Sequence, residues 1–421
     1  MLTLQARHRL DIRFRDFANG LAACAWARNA ERLTSELEAA WSPGGHGLAC
    51  RSVRSGFHLL LSELDLPAGA EVMVSAVTHP DMVRIVEAHG LVAVPVDLDL
   101  ATLAPRLELA EKLVTDRTRA ILVAHLFGGR VEMEPVAAFA RQHRLLLWED
   151  CAQAFTSPDD AGDSRADVSM YSFGALKTCT ALGGALLEVR NETLLERMRR
   201  TQAAWQPQRR RAYLAVVLKF LAFRLVTLPL GYGLLARGHK AFRRDFDRLV
   251  NSSVRAFRSG ELLPQLEVKP SAPLVAMLAY RLRTFDGARL RRRAAAGRSL
   301  AARITSLFAN DLVLPGHRMD LHSHWLFPVV SSRPDELIQA CRHAGIDAAR
   351  GASSVSVVAP PPGRPESEAK AAARMMGGLV FLPAYPELSR RSLARLVTAI
   401  ESAGSNPAPW LETASRRLRQ A

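Results

Sequence analysis

Cysteine is scarce in this chain and never paired in sequence. The five residues, Cys24, Cys50, Cys151, Cys179 and Cys341, lie far apart, with no C-x-x-C motif and no Cys/His cluster at zinc spacing. A disulfide framework and a structural metal are thereby excluded, and a reducing compartment is implied. Internal repeats and low-complexity segments are missing too, which excludes solenoids and disordered chains. Composition instead suits a large core, since 421 residues with 48% hydrophobic content make two or three compact units. No targeting signal is read at the N-terminus. Arg7, Arg9, Arg13 and Arg15 precede an apolar patch at 21–27, but that patch is at the lower limit of length, and Asp11 and Asp16 stand before it.

Acidic residues are nearly missing from one quarter of the chain. Between Arg199 and Leu300 there are 22 Lys and Arg against five Asp and Glu, so this quarter holds all of the formal excess of +15. Such an excess ordinarily raises nucleic acid as a partner, yet no nucleic-acid motif accompanies it and none is expected to bind. The basic clusters instead bracket an apolar run at 212–236, with Arg209, Arg210 and Arg211 before it and Arg237, Lys240, Arg243 and Arg244 after it. Lys219 and Arg224 stand near its middle, and Pro229, Gly231 and Gly233 break its second half, which disfavours a full bilayer span. An interfacial segment, placing 209–258 on an anionic membrane surface, fits the pattern. Packing on the protein or in a subunit interface is the other reading, and both stay open.

Against these absences stands an alternation of strands and helices. Segments 71–76, 91–96, 120–124 and 145–148 read as strands, with helices at 81–89 and 134–143 between them. A helix at 30–40 stops at Ser42-Pro43-Gly44-Gly45, and an apolar helix opens near Val53. Alternation of this kind predicts a parallel, doubly wound sheet. A basic amphipathic helix or helix pair is expected over 273–304. The last third alternates again, with a strand at 324–330, a helix at 333–344 and a strand at 379–383.

The stretch from Leu145 to Leu187 holds the chemistry. Its first strand delivers Asp150 to the carboxyl edge of the sheet, where ligands bind in open α/β folds. Lys177 lies in Gly174-Ala175-Leu176-Lys177-Thr178, with no other charge from Tyr171 to Leu187. An amine in an apolar pocket loses basicity, because desolvation penalises the charged form, and can then condense with an aldehyde. A carboxylate on a neighbouring strand end can keep a pyridine nitrogen protonated. Pyridoxal phosphate needs this pair.

The motifs E-D-C-A-Q-A at 149–154, S-F-x-x-x-K at 172–177 and the G-G-A after it resemble the DegT/StrS group of sugar aminotransferases, fold-type I pyridoxal phosphate enzymes. The resemblance covers roughly residues 52–400 apart from an insertion at about 205–260. It implies an α/β fold with a large domain, built on a mostly parallel doubly wound sheet, and a smaller C-terminal α/β domain. The expected division is a lead-in at 1–45, the large cofactor-binding domain at 46–300, the small domain at 301–405 and a polar, basic tail at 406–421. L-P-A-Y-P at 382–386 resembles the small-domain motif of the family.

By the same resemblance Lys177 holds the aldehyde and shuttles a proton, Asp150 keeps the ring nitrogen protonated, Gln153 bonds the ring hydroxyl, and Ser172 contacts the phosphate. Ser55, Gly56 and Phe57 fall where the family places its phosphate-binding S-G-T, with Phe57 for the threonine. His79 stands where the family has a stacking aromatic; an imidazole can stack, and a histidine before Pro80 is also an ordinary loop residue. His125, in the H-L-F-G turn, is read as structural. The resemblance implies amino transfer from a donor such as glutamate to a keto group of a nucleotide-linked sugar or related precursor, in a cytoplasmic homodimer, with peripheral contact at the inner membrane face left to the insertion. The alternative is a catalytically silent fold acting as a membrane-associated interaction module, favoured by Phe57, His79 and the insertion and opposed by the intact Asp150 and Lys177.

Overall fold

The computed structural model describes residues 10–226, 262–308, 312–350, 354–385 and 388–403. Helices α1 (Phe14–Trp26) and α2 (Ala30–Trp41) lead into β1 (Gly47–Cys50), α3 (Val53–Leu64), β2 (Glu71–Ser75), β3 (Val77–Thr78), α4 (Pro80–Ala88) and β4 (Val92–Val96). Then follow α5 (Leu107–Leu113), β5 (Thr118–Ala124), α6 (Met133–His143), β6 (Leu146–Asp150), β7 (Val168–Ser172), β8 (Ala185–Val189), α7 (Glu192–Ala204) and α8 (Arg210–Val226).

Seven strands form one sheet in the order β1-β8-β7-β6-β5-β2-β4. β4, β2, β5, β6 and β7 run parallel, whereas β8 is antiparallel to both β7 and β1. The near-continuous apolar strands fit this arrangement, because both faces are covered: α3 and α7 lie over a cluster with Trp148, Val72 and Leu187, and α5 and α6 over Met73, Ile121 and Val123. The chain moves from β2 out to β4 and back to β5, so the order switches beside β2. The carboxyl ends of β2, β5, β6 and β7 meet there, and a crevice at such a switch point is where an open α/β sheet takes a ligand.

A smaller antiparallel sheet holds Leu312–Val313, Phe327–Ser331 and Leu379–Leu382. The strand expected at 324–330 begins at Phe327 instead, because 323–326 bond to the loop that leaves β5: Ser323 N–H donates to Gly128 O (2.7 Å) and Leu326 N–H to Phe127 O (3.1 Å). Just before His79, β3 pairs with Ser356–Val357. The basic segment at 273–304 is a helix pair, Ala272–Arg283 and Gly287–Phe308.

The N-terminal lead-in is structural. Its apolar patch is the second half of α1, which lies against α8 and Ala272–Arg283; Gly20 brings an added Cβ within 3.5 Å of Val217. Asp16 is fully buried and takes Arg281 Nη1 at 2.6 Å, while Asp11 accepts from Cys179 N–H and from Arg289, both at 2.7 Å. The expected apolar run divides accordingly. Its part within α8 buries Tyr213, Val217 and Phe220 and leaves Leu218 and Leu225 about half exposed. Residues 227–236, the basic cluster at 237–244, the rest of the insertion to 261 and the tail from 404 lie outside the described residues. Among the described residues, no helix is long and apolar enough to cross a membrane.

Candidate active site

Asp150 closes β6 with its side chain largely buried, and its Oδ1 accepts from Ala152 N–H at 2.9 Å. Burial pushes its carboxyl pKa up, opposed by that hydrogen bond and by the charge of Lys177. Lys177 stands on the tight turn between β7 and β8, where its own N–H donates to Gly174 O (2.9 Å). Desolvation lowers its ammonium to about 8, with Arg54 adding to the fall and Asp150 resisting it. The fold thus gathers Asp150 and Lys177 into one electrostatic pair. Above the pair, Lys177 Nζ lies 4.6 Å from the Trp325 ring centroid, and Trp325 Nε1–H donates to Leu176 O at 2.8 Å. Trp325 comes from the small sheet's approach loop, and nothing local in the sequence marks it.

The helix expected to open near Val53 does so. α3 starts at Val53 with Ser52 as its cap, whose Oγ accepts from Ser55 N–H at 3.1 Å. Ser55 is therefore a buried first-turn residue with its N–H spent, and Gly56 N–H donates to Ser52 O (3.0 Å). Gly56 packs closely, since an added Cβ would lie 2.7 Å from Leu187 Cδ1. Phe57 has its ring fully buried, meeting Trp148 edge-on at 5.8 Å, so its side chain belongs to the core and only its backbone is left to serve the site. The residue whose charge reaches the site is Arg54, which acts on both Lys177 and His79 and bonds Asp81 Oδ2 at 2.6 Å. An arginine at the second position of an apolar helix gives no sequence signal of that role.

His79 caps α4, its Nδ1 accepting from Asp81 N–H at 3.1 Å. Burial, with Arg54 and Lys177 nearby, lowers it to about 4 against the pull of Asp81, so the ring is neutral. Gln153 Oε1 accepts from Phe127 N–H (2.9 Å), which fixes a residue in left-handed conformation (φ 59°) and leaves the carboxamide nitrogen as a donor. Ser172 ends β7 and its Oγ accepts from Gly174 N–H at 3.4 Å, one short turn from Lys177.

Beneath Asp150 runs a buried brace. His125 N–H donates to Asp150 O (3.0 Å); its Nδ1 accepts from Val131 N–H (3.0 Å), so Nε2 carries the hydrogen and donates to Glu149 Oε1 at 2.9 Å. Burial alone would raise Glu149, but His125, Arg130 and Ser169 hold it down at about 2. His125, Glu149 and Cys151 each bring one ligand atom within 4.8 Å of the others. Both His125 nitrogens are committed to hydrogen bonds, so this cluster fixes the strand ends rather than offering ligands.

The donor set matches pyridoxal phosphate. It offers an amine whose ammonium is lowered to about 8, a carboxylate coupled to it by charge, a free carboxamide N–H2, a hydroxyl and the start of an apolar-backed helix with Arg54 for an anion.

Known proteins resemble this chain in sequence and in fold. The chain is 30% identical over 217 residues to GDP-perosamine synthase of Caulobacter vibrioides, covering 50% of this chain and 58% of that one. It is 27% identical over 188 residues to GDP-perosamine synthase of Escherichia coli O157:H7, covering 44% and 52%. The chain thus spans little more than half the length of these curated relatives. PseC of Helicobacter pylori, an aminotransferase involved in the biosynthesis of pseudoaminic acid, superposes over 95% of this chain and 99% of its own with a TM-score of 0.67 at 15% identity, a likeness of fold. That fold is fold-type I, whose aminotransferases use pyridoxal phosphate. The profile of the DegT/DnrJ/EryC1/StrS aminotransferase family matches residues 24–220 of this chain.

Proposed function

We propose that the protein is a pyridoxal phosphate-dependent aminotransferase that moves an amino group from an amino acid such as glutamate to a keto group of a nucleotide-linked sugar or related precursor. The observation that carries the reading is Lys177, lowered to about 8 by burial and coupled by charge to the buried carboxylate of Asp150. The relatives named GDP-perosamine synthase support a nucleotide-sugar acceptor. Bound pyridoxal phosphate supplies an electron sink for the carbon that bears the amino group. Lys177 Nζ would supply the amine that holds the aldehyde and would take and return a proton. Asp150 would keep the ring nitrogen protonated, and the Gln153 amide would donate to the ring hydroxyl. Ser172, Arg54 and the N–H groups at the start of α3 would receive the phosphate. The neutral His79 ring would stack on the pyridine.

The reading includes a large unit at 46–300, a small unit at 301–405, a homodimer, a cytoplasmic setting and contact with an anionic membrane surface through 209–258. A silent fold has less support, because Phe57, one of the departures that favoured it, lies in the core and leaves the lysine site untouched. Purified protein loaded with the cofactor should absorb in the visible, and borohydride should fix the label on Lys177. Lys177→Ala should not retain the band after reduction and denaturation. A colourless wild type that takes up no added cofactor would sink the proposal.

A further inference from the structure

Among the described residues, the exposed large apolar side chains are Phe14, Trp26, Leu218, Leu225 and Leu321. Four of the five stand on two adjacent helices. Phe14 and Trp26 begin and end α1 at 43% and 77% exposure, and Leu218 and Leu225 stand two turns apart on α8 at 48% and 50%. The helices run antiparallel: Arg210, at the start of α8, bonds Cys24 O (2.6 Å) at the end of α1, and Arg224, at the end of α8, covers the Phe14 ring at 5.9 Å. Their inner faces are fixed, since Tyr213 donates from its hydroxyl to Ala181 O (2.7 Å) and Val217 packs at Gly20. The outer apolar residues therefore sit on a rigid support and are not spare core.

Charge identifies what covers them. Residues 197–244 contain no Asp or Glu and twelve Lys and Arg. The one carboxylate of α1, Asp16, is buried under Arg281. Arg15, Arg28, Arg209, Arg211 and Lys219 are all exposed around the pair. Large apolar side chains in a predominantly basic rim, where Asp286 is already paired with Arg13, suit a surface that is apolar below and anionic above. A protein partner of ordinary composition would leave this rim without matching carboxylates.

We propose that α1 and α8 form a docking face for an anionic phospholipid bilayer. Trp26, Phe14, Leu218 and Leu225 enter the acyl boundary, and the basic residues meet the headgroup phosphates. The proposal deepens, and rests on, the membrane part of the reading above. It moves the anchor from the buried apolar residues of the insertion to the outward face of this helix pair. Each basic residue removed should weaken partition about fivefold, the equivalent of about 1 kcal/mol.

The test is flotation of the full-length protein with vesicles of phosphatidylcholine alone and vesicles doped with phosphatidylserine, at low and high salt. Wild type should float only with the doped vesicles and be released by salt. A Trp26→Ser, Leu218→Ser, Leu225→Ser variant should lose at least about tenfold in partition, whereas Leu321→Ser, exposed elsewhere, should match wild type. Sedimentation of the same samples reads oligomeric state, and their visible spectrum reports fold and cofactor. A wild type that ignores doped vesicles at low salt overturns the proposal, and so does a triple variant that floats unchanged. A triple variant that dissociates a dimer without losing flotation assigns the face to a subunit interface and also overturns it. A colourless wild type that still floats would sink the aminotransferase reading alone.

Discussion

The Lys177 ammonium faces the Trp325 indole at 4.6 Å, although 148 residues separate the two in sequence. The ring offers its π face to the cation and its N–H to the Leu176 carbonyl, so one side chain steadies both the amine and its turn. Trp325→Phe keeps a π face and loses only the hydrogen bond; Trp325→Leu loses both. We expect kcat/KM to fall about threefold to tenfold for the first and further, by about another fivefold, for the second. Equal losses in the two variants would show that the π face does nothing for the cation.

Asp150→Asn is expected to retain the fold and the uptake of cofactor. Transamination should fall by about two to four powers of ten, because an amide cannot hold the ring nitrogen protonated. Activity within about threefold of wild type, in a single-turnover assay, would assign that task to another group.

Gly128 has φ 99°, and an added Cβ would lie 2.5 Å from both Ser323 Oγ and Trp325 N. Gly128→Ala therefore strains the backbone and pushes away the loop that seats Trp325. A loss of roughly 2–4 kcal/mol in urea unfolding is expected, together with lower activity. Stability within about 0.5 kcal/mol of wild type would show that the 323–326 loop yields easily.

The amine of Lys177 titrates at about 8 in the fold, against an ordinary 10.5. Its neutral fraction then rises from about a tenth near pH 7 to about half near pH 8, and the rate at which apoprotein takes up aldehyde should rise about fivefold over that step and level off above about pH 9. The folded state binds fewer protons than the unfolded state between the two pKa values. Apoprotein stability should therefore gain as pH rises from about 8 to 10.5, because the cost of burying the charge is relieved. An uptake rate still climbing tenfold per pH unit near pH 9 would mark an ordinary solvated lysine.

The sheet was legible because its strands are buried on both faces and so read as continuous apolar runs, and Asp150 and Lys177 were legible because each stands at the edge of such a run. The opening of an apolar helix near Val53 was legible as well, whereas the packing of Gly56 against Leu187, a tertiary contact, was not. Arg54 and Trp325 leave no local trace, since their roles arise from tertiary contact with Lys177. Nor could α8 be divided by inspection: 212–218 is almost wholly apolar, and its inward and outward faces exist only once α1 is beside it.

The bonds made by the first described residues bear on the order in which the chain can fold. Asp11 waits 168 residues for Cys179, and Asp16 waits 265 for Arg281. During synthesis α1 emerges before the sheet, yet its native partners are among the later segments, so it must remain unplaced while β1 through β8 assemble. Closure of such long loops is slow, and an amphipathic helix is exposed throughout. The N-terminal segment should thus be among the last parts of the large sheet's surroundings to lock, and refolding followed by hydrogen exchange should show α1 amides protected after those of β5 and β6.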